Sequence, residues 1–216
     1  RDMVQNHMLQ LVALVAMEPP SNFNATAVRD EKVKVLRSLR RISASESVTG
    51  QYRAGAIGGV AVPGYDEELG RASSTETFVA IKAHIDNWRW TGVPFYLRTG
   101  KRLPERKTEI MIQFKHVPHS IFAGQGAEAQ PNRLIIGIQP QENVRLSVMA
   151  KQPGLDRGGL RLQEVPLDIS MPNAFATASD DMCMSRAVDS AEQPGKYANF
   201  IVVTLAKVIV VSVSLA

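Results

Sequence analysis

Residues 86–110 read DNWRWTGVPFYLRTGKRLPERKTEI, and they join two kinds of pattern. The stretch opens on Trp88, Trp90 and Pro94, a pairing of tryptophans expected to be buried and to hold a strand rigid. It then makes a tight Thr-Gly turn that delivers Lys101 and Arg106. On both sides of it the apolar period is two. Val79, Ile81, Ala83 and Ile85 alternate with Ala80, Lys82 and His84, which predicts a strand covered on one face. VPFYLRTG, EIMIQFKHV, RLIIGIQ, NVRLSVMAK and GLRLQEVPLDI continue the series, separated by turn-like stretches such as QPQEN and QPGLDRGG. Successive strands joined this way predict antiparallel pairing.

Upstream the period changes to that of a helix. Val4, Met8, Leu11 and Val15 recur at helical spacing, with Leu9, Val12 and Leu14 on the flanks, and EPPSN stops the segment. Asn24 or Thr26 caps a second helix whose apolar face carries Val28, Val35, Leu39 and Ile42. Residues 43–76 are rich in Gly, Ser and Ala and read as a long excursion, mostly loop. Two helices followed by a run of strands predict an α+β fold over residues 1–170, built on a large, mainly antiparallel sheet with helices packed on it. After Ser170 the pattern fails, and residues 171–216 read as a separate tail ending in IVVTLAKVIVVSVSLA, the composition of a sticky strand. Lys207 in its middle argues against a membrane span.

The 216 residues hold 25 basic and 21 acidic side chains. Between Arg98 and Lys107 five are basic and one is acidic, so the remainder balances at 20 of each. A surplus confined to one turn suits a local anion site, or equally a solvated charged loop, rather than a nucleic-acid surface. Lysine there acts as a mobile point charge and arginine as a planar fork. One cysteine, Cys183, allows no internal disulfide, and no basic segment leads into an apolar run and a cleavage site. Both features predict a cytoplasmic protein. The chain opens on Arg1 rather than methionine, as a fragment or a processed product would.

Asp2 and His7 head the first helix. Five positions on a regular helix separate them by roughly 140° at about 100° per residue. They can meet at one ligand if Asp2 instead caps the helix, where free amides also favour anionic or hydroxylated groups. A core histidine bonded to a backbone carbonyl is the plainer alternative for His7. His116 and His119 in KHVPH lack further ligands and predict no metal site. Neither G-x-G-x-x-G nor G-x-x-x-x-G-K-[ST] occurs, so no dinucleotide cradle is on this chain.

RDMVQNHMLQLVALVAMEPP, RDEKVKVLRSL, DNWRWTGVPFYLRTGKRLPERKTEI and NRLIIGIQP together resemble the C-terminal, substrate-side domain of the glucose-6-phosphate dehydrogenase family. The resemblance implies oxidation of glucose 6-phosphate at C1 to the lactone with NADP, or sometimes NAD, at the entry to the pentose phosphate pathway. It implies an N-terminal Rossmann module for the cofactor, absent from this chain, and homodimerisation through the sheet. It assigns His7 as the general base, Asp2 as the carboxylate that holds sugar hydroxyls, and Lys101 and Arg106 as substrate-binding cations. Arg98 and Lys107 match positions that touch a second, structural NADP in some members. Met111 stands where those members carry another arginine. The family's His-Tyr-Leu-Gly-Lys segment does not occur, and the residues after 170 do not follow its usual ending. The expectation is therefore an enzyme fragment inactive by itself. The alternative is a non-catalytic sheet module for dimerisation or phosphate-ligand binding.

Overall fold

A computed structural model describes residues 2–116, 130–152 and 162–170 and the backbone of the strand 206–215. The fold is α+β. A π-helical segment, Met3–Met8, runs into α1 (Leu9–Ala16), and α2 (Ala25–Arg37) packs against α1. The order continues β1 (Ser47–Gly50), β2 (Gly55–Ile57), β3 (Val60–Val62), α3 (Tyr65–Leu69), β4 (Phe78–His84), β5 (Pro94–Lys101) and β6 (Thr108–Phe114). It closes with β7 (Arg133–Gln139), β8 (Asn143–Lys151), β9 (Leu162–Ser170) and β10 (Ala206–Leu215).

Eight strands form one sheet in the order β1-β4-β5-β10-β6-β7-β8-β9. Every pairing is antiparallel except β5 with β10, which run parallel. The expected β5–β6 hairpin therefore does not pair. β10 lies between the two strands, in register with Phe95–Lys101 on one side and with Thr108–Phe114 on the other. At about 4.8 Å per strand spacing, the turn 102–107 bridges roughly 10 Å across the end of β10.

The alternation read from the sequence decides which face the helices cover. Ile81, Ala83 and Ile85 on the β4 side, Phe95 and Leu97 on β5, and Ile110 and Ile112 on β6 are buried. They meet Met8, Leu11, Val12 and Ala16 of the first helix and Val35 of the second in one core. Burying such aliphatic and aromatic side chains contributes about 1.5–3 kcal/mol each.

Three expectations need correction. Residues 43–76 are not featureless loop: β1 extends the main sheet, β2 and β3 form a hairpin, and α3 follows, with loop between them. That hairpin turns on Gly58 and Gly59 at φ of 57° and 82°, the left-handed values a two-residue turn requires. The second helix ends at Arg37, before Leu39 and Ile42, although Asn24 does cap it through its side-chain oxygen. Leu39 leaves the helix because it bridges to Ile85, and Arg40 grips Asp86 through two hydrogen bonds of 3.0 and 2.6 Å. Trp88 and Trp90 are not a buried pair. Trp90 is 4% exposed, whereas Trp88 stands fully in solvent on the turn before β5.

Candidate functional site

The first helix is tied to β5 at both ends. At its C-terminal end the Trp90 indole Nε1 donates 2.9 Å to the Ala16 carbonyl, and Trp90 meets Phe95 edge to face at 5.4 Å. At its other end the π-helical segment packs against β5. A helix of this length spans about 20 Å, so the two attachments lie well apart along it.

Asp2 does not cap this helix, contrary to the sequence reading. Its backbone is helical, with φ −60° and ψ −51°, and its side chain makes no capping bond. The π turn joins it to His7 instead. Leu9 N–H bonds to the Val4 carbonyl, an i→i+5 contact that widens the coil and brings residues five apart toward one line. His7 Nε2 accordingly lies 3.6 Å from Asp2 Oδ2. Asn6 Nδ2 donates to the other carboxylate oxygen, Oδ1. Asp2 is open to solvent at 73% side-chain exposure and His7 is at 36%. An oxygen atom about 2.8 Å from each group can sit between them, so the pair is built to share a hydroxyl.

The other predicted residues divide by face. Along β5, buried Phe95, Leu97 and Thr99 alternate with exposed Tyr96 and Arg98. Lys101 shares the register of the first set and belongs to the helix side, with its side chain exposed. Gly100 beside it lies so close to Phe78 that a Cβ there would meet the ring at 2.8 Å. The Lys101 amide donates 2.9 Å to the Thr77 carbonyl, and Arg106 is exposed on the turn that follows. Thr99 is 4% exposed and its hydroxyl has no partner among the described residues. Arg98 and Lys107 fall on the opposite face, with β10 between their strands. Lys107 Nζ pairs with Glu109 at 2.7 Å on that face.

Three residues at the Lys101 turn were invisible in the sequence. Arg102, at φ 53°, stacks its guanidinium 4.7 Å over the Tyr52 ring and pairs with Glu68 at 3.3 Å. The Tyr52 hydroxyl donates to the same Glu68 carboxylate. That bond, reinforced by Arg102, holds the Glu68 carboxyl below the usual range, and the same bond raises the Tyr52 phenol against the pull of the Arg102 charge. No spacing rule connects positions 52, 68 and 102. The Asn6–Asp2 bond is different, since a four-residue helical spacing foreshadows it.

Among the described residues no three His, Cys, Asp or Glu side chains gather to hold a metal. His116 is exposed, and His119 and Cys183 lie outside the described residues. No described helix is long and apolar enough to cross a membrane.

Comparison with known proteins places this geometry in a family. The family model for the glucose-6-phosphate dehydrogenase C-terminal domain matches residues 1–187, past the boundary at 170 read from periodicity. The glucose-6-phosphate 1-dehydrogenase of Zymomonas mobilis is 62% identical over 179 residues, covering 81% of this chain. The chain spans 37% of that relative's length. The crystal structure of the Mycobacterium avium enzyme superposes with a TM-score of 0.67 at 41% identity, covering 80% of this chain and 35% of that one. A glucose-6-phosphate dehydrogenase solved with its substrate glucose 6-phosphate gives a TM-score of 0.70 at 37% identity, covering 88% and 37%. Sequence and fold thus agree, and the chain belongs to the C-terminal domain family of glucose-6-phosphate dehydrogenase.

Proposed function

We propose that this domain is the substrate side of an NADP-dependent glucose-6-phosphate dehydrogenase. The observation that carries the reading is the π turn that sets His7 Nε2 3.6 Å from Asp2 Oδ2. Asp2 accepts a hydrogen bond from a sugar hydroxyl and orients the ring. His7 Nε2 takes the proton of the C1 hydroxyl, and the C1–O bond becomes the lactone carbonyl. NADP, held on a separate cofactor domain, supplies the acceptor for the C1 hydride. Lys101 and Arg106 bind the phosphate, with most of that attraction already present in the bound substrate. The same reading includes a cytoplasmic location and a homodimer formed through the sheet. This chain by itself should not turn over, because it contributes no cradle for the nicotinamide.

The test joins the chain to a family cofactor domain and follows NADPH formation from glucose 6-phosphate and NADP. His7→Asn should lower kcat by about 10²–10⁴-fold, the usual loss of a general base, with little change in KM. Lys101→Ala and Arg106→Ala should chiefly raise KM. A His7→Asn enzyme with nearly full kcat would make His7 a structural histidine of the helix.

A further inference from the structure

The excursion 51–76 grips the turn that carries Lys101. The Lys101 amide bonds to the Thr77 carbonyl at 2.9 Å, and the Tyr52 amide bonds to the Thr77 hydroxyl at 3.0 Å. Immediately after Lys101, Arg102 adopts a φ of 53°. A non-glycine residue persists in that region only where its surroundings determine it, and such positions cluster at ligand clamps. Here the surroundings are the Tyr52 ring on one side and the Glu68 carboxylate on the other. Tyr52 is braced in turn by Tyr65, edge to face at 5.5 Å.

Glu68 poses an electrostatic problem for an anion site. Its carboxylate is held at the turn that carries Lys101, because Arg102, the next residue, pairs with it at 3.3 Å. Left alone it would pair with the ammonium and repel a phosphate. Arg102 and the Tyr52 hydroxyl occupy it instead.

We propose that Arg102 is a positioning residue of the substrate site: clamped by Tyr52, it neutralises Glu68 and thereby leaves the Lys101 ammonium available to a phosphate monoester. The proposal rests on Lys101 being a phosphate ligand. It assigns a purpose to a cation paired with Glu68 and stacked on Tyr52, and to a carboxylate set against a basic turn.

The test uses the full chain and two readouts. Hydrogen exchange of the Lys101 ammonium, followed by ¹⁵N NMR, reports whether Glu68 has captured it, with no ligand present. Titration with glucose 6-phosphate and with inorganic phosphate reports anion affinity. Arg102→Gln should slow the ammonium exchange and weaken both anions by roughly three- to tenfold, the scale of a partly exposed ion pair plus a lost nearby charge. Arg102→Gln combined with Glu68→Gln should restore fast exchange and most of the affinity. A merely structural role predicts no such rescue. Glu68→Gln alone keeps the clamp's cation and should tighten anion binding, which keeps the idea testable if Arg102→Gln folds poorly. Unchanged Lys101 exchange in Arg102→Gln, or weaker anion binding in Glu68→Gln, overturns the proposal. If the exchange responds as expected but the wild-type chain takes up no glucose 6-phosphate, the clamp stands and the substrate reading fails.

Discussion

Trp90→Phe separates the indole N–H from the ring that carries it. Trp90 is 4% exposed, and its Nε1 donates 2.9 Å to the carbonyl of Ala16, the last residue of α1. That carbonyl is one of the four a helix leaves without an internal partner, so the indole supplies its cap. Phenylalanine keeps the aromatic contact with Phe95 but strands the carbonyl, which costs about 1–3 kcal/mol when no water reaches it. The smaller ring adds about 1 kcal/mol for the space it leaves. The expected loss is therefore about 2–4 kcal/mol. Urea denaturation of the full chain followed by circular dichroism measures it, with an unchanged slope confirming that the variant unfolds from the same state. Trp88→Phe is the internal control, since Trp88 is fully exposed and should change stability by no more than about 0.5 kcal/mol. A loss below about 0.5 kcal/mol for Trp90→Phe would mean that Ala16 finds another donor. The indole would then not be what ties the helix to the sheet.

Thr99→Val should leave stability unchanged or raise it by about 1 kcal/mol, because the hydroxyl is buried without a partner among the described residues; a loss above that size in a thermal melt would reveal a bond to it. Acid should loosen both clamps. Bonds from Arg40 to Asp86 and from Tyr52 to Glu68 hold these two carboxyls below their ordinary range. Stability from these groups is present above the unfolded carboxyl range, near pH 4, and is lost as pH falls through the lower folded values. Asp86→Asn with Glu68→Gln should be less stable than wild type at pH 7 and should flatten that acid limb, and an unaltered limb would place the acid sensitivity elsewhere. Truncation after Ser170 removes β10 from between β5 and β6 and opens two strand edges. The shortened chain should melt at lower temperature and associate more readily. A gain in solubility would instead mark 171–216 as the foreign appendage its composition suggests.

Much of the sheet was legible because burial on one face imposes a period of two, and a one-residue slip would expose every apolar side chain. Ile81, Ala83 and Ile85 carried that signal, and NVRLSVMAK forms β8 over its whole length. The helix-side core was legible for the same reason in a period near four, with Met8 and Leu11 both buried. Strand order was not. Which strand lies beside β5 depends on contacts between residues more than a hundred positions apart, and no local rule chooses β10 over β6. The excursion was misread because three-residue strands and a five-residue helix are too short to show a period. The second helix was overextended because Leu39 keeps its spacing while its backbone leaves to bridge Ile85.

The candidate site failed in one instructive place. Spacing correctly says that Asp2 and His7 diverge on a regular helix, and the remedy drawn from it was to move Asp2 out of the helix. The structure keeps Asp2 helical and changes the helix. A π turn forgoes the better packing of an α turn, so it survives where something else favours the wider coil. Met8, fully buried at the end of the segment, and Val4, packed on the same core, fix the helix's rotation against the sheet. With that rotation set by packing, the extra width is what allows an aspartate five residues before His7 to face the same way. Alternation and helical spacing describe elements that are content to be regular. The pair that carries the proposed chemistry depends on the turn that is not, and that is why its residue types could be picked out from the sequence while its geometry could not.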